Sequence, residues 1–268
     1  MANYDMIMER NKYYGDIRVM FEIVKNLVGR ESVFLSKTEC WRCLKIHKVE
    51  FFNKNAQFCN FYREPFNIYY SLARLENMPM FTYSKYDRKA QQNKFTQEFK
   101  NYMVGFDLGM DFDGHNLPFK TVYEDTMKVK QFFEEYKIAY ELKCSGSGFH
   151  INVNHLKMPN LPDKAVYFKQ MVDKIKTIFN LKSLDLGVYD ERRIWKCPYS
   201  YDVKSGNIAL PLTDAQFDKF SFDMVRPDEV LKLNLVGRGN LERPGTISGF
   251  SQFLKEFIDD EEENVKND

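Results

Sequence analysis

From Tyr4 to Val28 the apolar positions recur at helical spacing. Ile7, Ile17, Met20, Phe21, Ile23, Val24 and Leu27 predict an amphipathic helical region. Ser36-Lys37-Thr38-Glu39 has the form of a capping box, with Ser bonding forward and Glu bonding back to orphan amides, so a short helix through about Lys48 should follow. Ile68 to Ser71 is aromatic and branched, as strands are, and Asp87 to Lys100 is polar enough for a loop or an exposed helix. Met103 to Phe112 is a largely apolar strand candidate that runs into Asp113-Gly114. Helical period returns over Thr121 to Lys137, and again over Asp163 to Asn180 after a proline. Ile138 to Lys143 and Phe149 to Asn154 read as strands joined by the turn-forming Ser145-Gly146-Ser147-Gly148. Arg192 to Trp195 and Asn207 to Leu210 flank Lys204-Ser205-Gly206, which predicts a hairpin. Helices alternate with paired strands, so the expected class is α+β with a mostly antiparallel sheet.

Composition narrows this picture. A chain of 268 residues, 44% apolar and 29% charged, reads as globular and can bury a sizeable core. The expected organisation is one core over residues 1–258, with subdomains of about 1–100 and 101–258, and an acidic tail at 259–268. That tail carries six acids and one lysine, so −5; the net charge of +1 therefore hides +6 on the body, a modest basic balance compatible with a nucleic-acid groove. No apolar run is long enough to span a bilayer, and Met1 to Asp5 lacks a secretory pattern, so a cytoplasmic protein without a membrane partner is expected. The five cysteines lie scattered, which argues against a disulfide framework. Cys40, Cys43, His47 and Cys59 offer zinc ligands in number, but the first three also fit one face of the predicted helix, and no zinc is expected.

The candidate chemistry lies in the carboxylates. Asp111-Phe112-Asp113 ends a predicted strand, whose alternation puts both side chains on one face with Cα atoms about 7 Å apart. Such a pair repels unless a cation sits between, and Mg²⁺ suits it because Mg²⁺ takes few carboxylates and leaves positions for phosphates. The plainer reading is a solvated strand end. An EF-hand is excluded, since Asn116 stands where the loop needs glycine and Val122 where it needs glutamate. Asp185, after Leu184 in an apolar stretch, is a third acid that needs a partner or a metal, or else makes a local turn bond. On the phosphate side, Ser145, Ser147 and His150 frame a glycine turn that could present amides and hydroxyls to an anion, or be an ordinary hairpin. No Walker sequence is present. Arg193, Lys196 and Lys204 follow as basic candidates or as a solvated face, with Lys196 the stronger.

In this order the segments resemble the archaeo-eukaryotic primase superfamily: small catalytic subunits and primase-polymerases. Asp111-Phe112-Asp113 is similar to the first motif, Ser145 with Gly148-Phe149-His150 to the second, and Leu184-Asp185 to the third. Lys196-Cys197-Pro198-Tyr199-Ser200 resembles the basic-x-Pro-x-Ser that follows. Gly29-Arg30-Glu31 with Phe34 and Arg42, and Tyr69-Tyr70-Ser71, extend the similarity upstream, and Leu184 to Tyr189 resembles the third motif of stand-alone primase-polymerases. The resemblance implies an RRM-like antiparallel sheet carrying the acids beside an N-terminal α/β subdomain. It implies two Mg²⁺ or Mn²⁺ ions on Asp111, Asp113 and Asp185, and phosphate contacts from His150, Ser145 and Lys196, with Arg42 and Arg193 as weaker candidates. The implied partners are a single-stranded DNA template, NTP or dNTP, and an accessory or large subunit. Ser147 stands where the family often has arginine, and Gly114 to Lys143 has no cysteine where many cellular members insert a zinc site. The pattern is therefore that of a minimal or stand-alone member. The leading expectation is a primase and polymerase; an extension-only polymerase, an inactive nucleic-acid-binding module on the same fold and a metal-dependent nuclease are the competing ones.

Overall fold

The computed structural model describes residues 2–36, 40–43, 66–77, 82–84, 99–114, 116–159, 164–187, 189–190, 192–235 and 241–256. The strands are β1 (Ser32–Ser36), β2 (Cys40–Cys43), β3 (Phe66–Ser71), β4 (Ala73–Leu75), β5 (Thr82–Ser84), β6 (Met103–Phe106), β7 (Leu108–Phe112), β8 (Glu141–Cys144), β9 (Phe149–Val153), β10 (Leu184–Asp185) and β11 (Ile194–Lys196). The longer helices are α1 (Ala2–Tyr14), α2 (Ile17–Leu27), α3 (Phe119–Glu135) and α4 (Lys164–Ile178). Among the described residues no helix is long and apolar enough to cross a membrane. The chain divides into two units interleaved in sequence. Unit 1 is Met1–Val104, Lys143–Ser147 and Ile194–Leu241; unit 2 is Gly105–Leu142, Gly148–Arg193 and Glu242–Asp268.

In unit 1 the expected helical stretch is two helices, parted at Gly15-Asp16, where Asp16 caps α2 by accepting from Arg18 N at 2.8 Å. Val19, Met20, Ile23, Val24 and Leu27 are buried, while Ile17 and Phe21 are exposed, so the stripe is narrower than its apolar content. A five-stranded sheet runs β11-β3-β1-β2-β5, with every pairing antiparallel. The helix expected after Ser36 is overturned where the chain is described: Cys40 to Cys43 is strand β2, paired with β1 from Ser32↔Cys43 to Leu35↔Cys40. A capping-box pattern is a local signal, and a ladder to a neighbouring strand overrides it. The rest of the expected helix, residues 44–48, lies outside the described residues. The expected hairpin also changes partners. Ile194–Lys196 pairs with β3 instead, and the stretch around Ile208 pairs with Tyr201. Its rungs are Ala209 N to Ser200 O at 2.8 Å and Asp202 N to Asn207 O at 2.7 Å.

Unit 2 carries a four-stranded sheet in the order β10-β7-β9-β8. The apolar run from Met103 breaks at Asp107 into β6 and β7, because the buried Asp107 turns to His155, taking its N–H at 3.0 Å and facing its Nδ1 at 3.2 Å. Leu108, Met110 and Phe112 of β7 and Phe149, Ile151 and Val153 of β9 are all buried. Phe149 meets the rings of Phe119 and Tyr123 on α3, at 5.6 and 6.3 Å. The alternate positions, Gly109, Asp111 and Asp113, therefore face away from that helix. Each fully buried side chain of this kind contributes about 1.5–3 kcal/mol, so the register that brings the acids out on the other face is strongly held.

Candidate functional site

Strand register builds a row of three polar residues in unit 2. Asp111 at the centre pairs with His150 on β9 and with Asp185 on β10. Opposite residues of antiparallel strands have Cβ atoms about 4.5–5.5 Å apart on a common face. His150 Nε2 lies 3.3 Å from Asp111 Oδ1, with the histidine buried and the aspartate half-buried. Asp113 follows two residues along the same face, and its N–H donates to Ser183 O at 3.0 Å, prolonging the pairing toward β10. Gly148 sits where the two central strands close up: a Cβ there would strike the Phe112 carbonyl oxygen. That contact accounts for glycine in the turn before His150.

Several supports had no signal in the sequence pattern. Asp125 on α3 is buried and accepts at Oδ2 from Lys182 N, Ser183 N and Ser183 Oγ at 2.7, 2.8 and 2.9 Å, so it anchors the segment that carries Asp185. Asp185 itself accepts from Gly187 N at 2.8 Å. Tyr189 donates its hydroxyl to Gly109 O at 2.9 Å. Burial, then the charges of Asp111 and Asp185, push its phenol well above the ordinary value, with Arg193 partly offsetting them. The tyrosine is thus a neutral donor lodged beside both acids.

Of the remaining candidates, Arg193 is half-buried in unit 2 and the others belong to unit 1. Arg42 on β2 places Nε 2.6 Å from Oε1 of the buried Glu31. Ser145 is half-buried, Ser147 is exposed, and Lys204 is exposed at the tip of the 199–209 hairpin. Lys196 is buried, with Nζ 2.6 Å from Asp202 Oδ1 and in contact with Asn67 Oδ1. Burial pulls the Lys196 ammonium below its usual range against the pull of Asp202. For Asp202, burial works upward, but Lys196 and Ser205 outweigh it and hold the carboxyl below its ordinary value. Asp202 and Asn67 were missed because neither lies in a motif; only the fold brings them to Lys196.

Among the described residues no three His, Cys, Asp or Glu side chains converge as a preformed metal cage. Mg²⁺ and Mn²⁺ are commonly held by only one or two carboxylates plus substrate phosphates and water, and Asp111 and Asp185, facing each other across one rung, would supply two carboxylates. The helix face that offered the plainer reading of Cys40, Cys43 and His47 does not form over Cys40 to Cys43, which is strand β2. His47 and Cys59 lie outside the described residues.

No family model matches the sequence, and no curated protein matches it. Among solved structures, the polymerase domain of Mycobacterium tuberculosis Ligase D, in complex with DNA, is similar over 88% of this chain and 90% of its own, with a TM-score of 0.60 and 12% identity. The chain shares the fold of that polymerase domain.

Proposed function

We propose that this protein performs template-directed nucleotidyl transfer, making primers or extending DNA or RNA strands with two divalent ions. The observation that carries the reading is the row Asp185–Asp111–His150, with Asp113 on the same face, on a fold shared with a DNA polymerase domain. Asp111, Asp113 and Asp185 would hold the ions. When bound, these supply activation of a 3′-hydroxyl and neutralisation of the triphosphate charge. The chain's own residues orient the donors. The β7–β9 and β7–β10 ladders fix the spacing of the acids, Asp125 secures the approach to Asp185, and His150 can donate to a phosphate oxygen once it leaves Asp111. Within unit 1, Ser145 and Lys196 are the phosphate-contact candidates that the primase resemblance implies.

Extension of an existing end is the second reading, favoured by the similarity to a ligase's polymerase domain. The deciding experiment supplies single-stranded template, nucleotides and Mn²⁺ with and without a primer. Products in both reactions support a primase and polymerase, and products only with the primer support extension alone. No product in either, from folded protein, refutes the proposal.

A further inference from the structure

Lys196 is enclosed within unit 1. An ammonium has three donors. Two of them meet oxygens, Asp202 Oδ1 at 2.6 Å and Asn67 Oδ1, and the ammonium also sits 5.0 Å from the centre of the Tyr69 ring. The side chain is 5% exposed. A phosphate oxygen could reach this nitrogen only by taking the place of one of those partners.

Of the two oxygens, that of Asp202 is the one that resembles phosphate. Carboxylate and phosphate alike present an anionic oxygen to an ammonium at charge-assisted distance. Asn67 is tied elsewhere, since its Oδ1 also accepts from Val203 N at 3.0 Å. Asp202 is bound at its other end: Oδ2 accepts from Ser205 N at 2.9 Å and Ser205 Oγ at 2.8 Å, beside the exposed Lys204. A Cβ on Gly146 would lie 2.6 Å from Asp202 Cβ, so the aspartate packs directly on the glycine turn, and Asn207 Nδ2 donates to Gly146 O at 2.9 Å. The carboxylate thus links the lysine, the hairpin tip and the turn.

We propose that Asp202 is an internal competitor for the ligand: a carboxylate that occupies Lys196 and must be displaced by the incoming phosphate. Breaking a buried pair is costly, and that cost is the same whichever phosphate displaces the carboxylate. Asp202 therefore lowers the affinity of every phosphate that uses the lysine, and keeps the lysine from anions too weak to displace it. The inference rests on the phosphate role of Lys196 in the proposed function.

The test is a double-mutant cycle on the full chain, with Kd measured calorimetrically for ATP, ADP and inorganic tripolyphosphate without template. The work is done at about pH 6.5, because burial lowers the Lys196 amine's pKa and an acid medium favours its charged form when its partner is gone. Asp202→Asn should tighten tripolyphosphate roughly three- to tenfold, the scale of one charge contact, and ATP and ADP by a similar factor. The gain should vanish in the Lys196→Met background. Asp202→Ser, which also frees the lysine, should behave alike and covers the case in which the Asn variant does not fold. Unchanged or weaker binding in the folded variants, or a gain that survives Lys196→Met, overturns the inference. Templated synthesis is assayed separately: its absence with the cycle intact counts against the proposed function alone.

Discussion

Asp185 faces Asp111 directly across one antiparallel rung. Two carboxylates at that spacing repel when no cation is present, so the pair costs stability that function must justify. We expect Asp111→Ala and Asp185→Ala each to lose templated synthesis by about a thousandfold or more, the effect of several kcal/mol of lost charge stabilisation. Thermal unfolding should be unchanged or slightly later. Near-normal synthesis by either variant under both Mg²⁺ and Mn²⁺ would remove the metal assignment.

His150 should act on the nucleotide and not on the template. A hydrogen bond to a charged group is worth about 1.5–3 kcal/mol, so His150→Ala should raise the KM for nucleotide by about one to two orders of magnitude. Template Kd at fixed salt should barely move. Collapse of template binding with KM unchanged would reassign His150 to the nucleic-acid groove.

Asp125 offers a check on the supports. Its Oδ2 takes three donors from Lys182 and Ser183. Asp125→Ala leaves buried amides without an acceptor and should cost about 3 kcal/mol, read as a shift in the urea midpoint. Synthesis should fall as well, because Asp185 follows on the loosened segment. An unchanged midpoint would show that Asp125 anchors nothing.

Asp202 should shape the acid limb of stability. Its folded-state pKa is depressed, since Lys196 and Ser205 outweigh burial. A depressed carboxylate stabilises the fold in full above its unfolded value of about 3.9 and loses that stabilisation as pH falls through the folded value. Urea midpoints from neutral to acid should therefore fall less steeply for Asp202→Asn than for the parent. Parallel curves would count against the pair.

The acid row was legible because it obeys two local rules: alternation puts Asp111 and Asp113 on one face, and a glycine turn leads into His150. The apolar positions of β7 and β9 carried the register that aligns them. What stayed hidden depends on contacts between distant segments. Ser36-Lys37-Thr38-Glu39 reads locally as a helix start, and only pairing with β1 makes Cys40 to Cys43 a strand. Asp202 looks like an ordinary turn residue until the fold brings it to Lys196. Asp107 breaks an apolar run only because His155, far along the chain, offers it a partner.

The interleaving of the two units also governs how the protein folds as it is made. In unit 1, β3 borders β1 on one side and β11 on the other, yet β11 ends at Lys196. A nascent chain that has left the ribosome only as far as Val104 therefore holds β3 with one edge open, and most of unit 2 must emerge before Ile194–Lys196 arrives to close it. An open strand edge pairs readily with other chains, and such late, sequence-distant closure is slow. The aggregation-prone interval in synthesis thus spans the making of β7 to β10, and slowing translation across that stretch should lower the yield of folded protein.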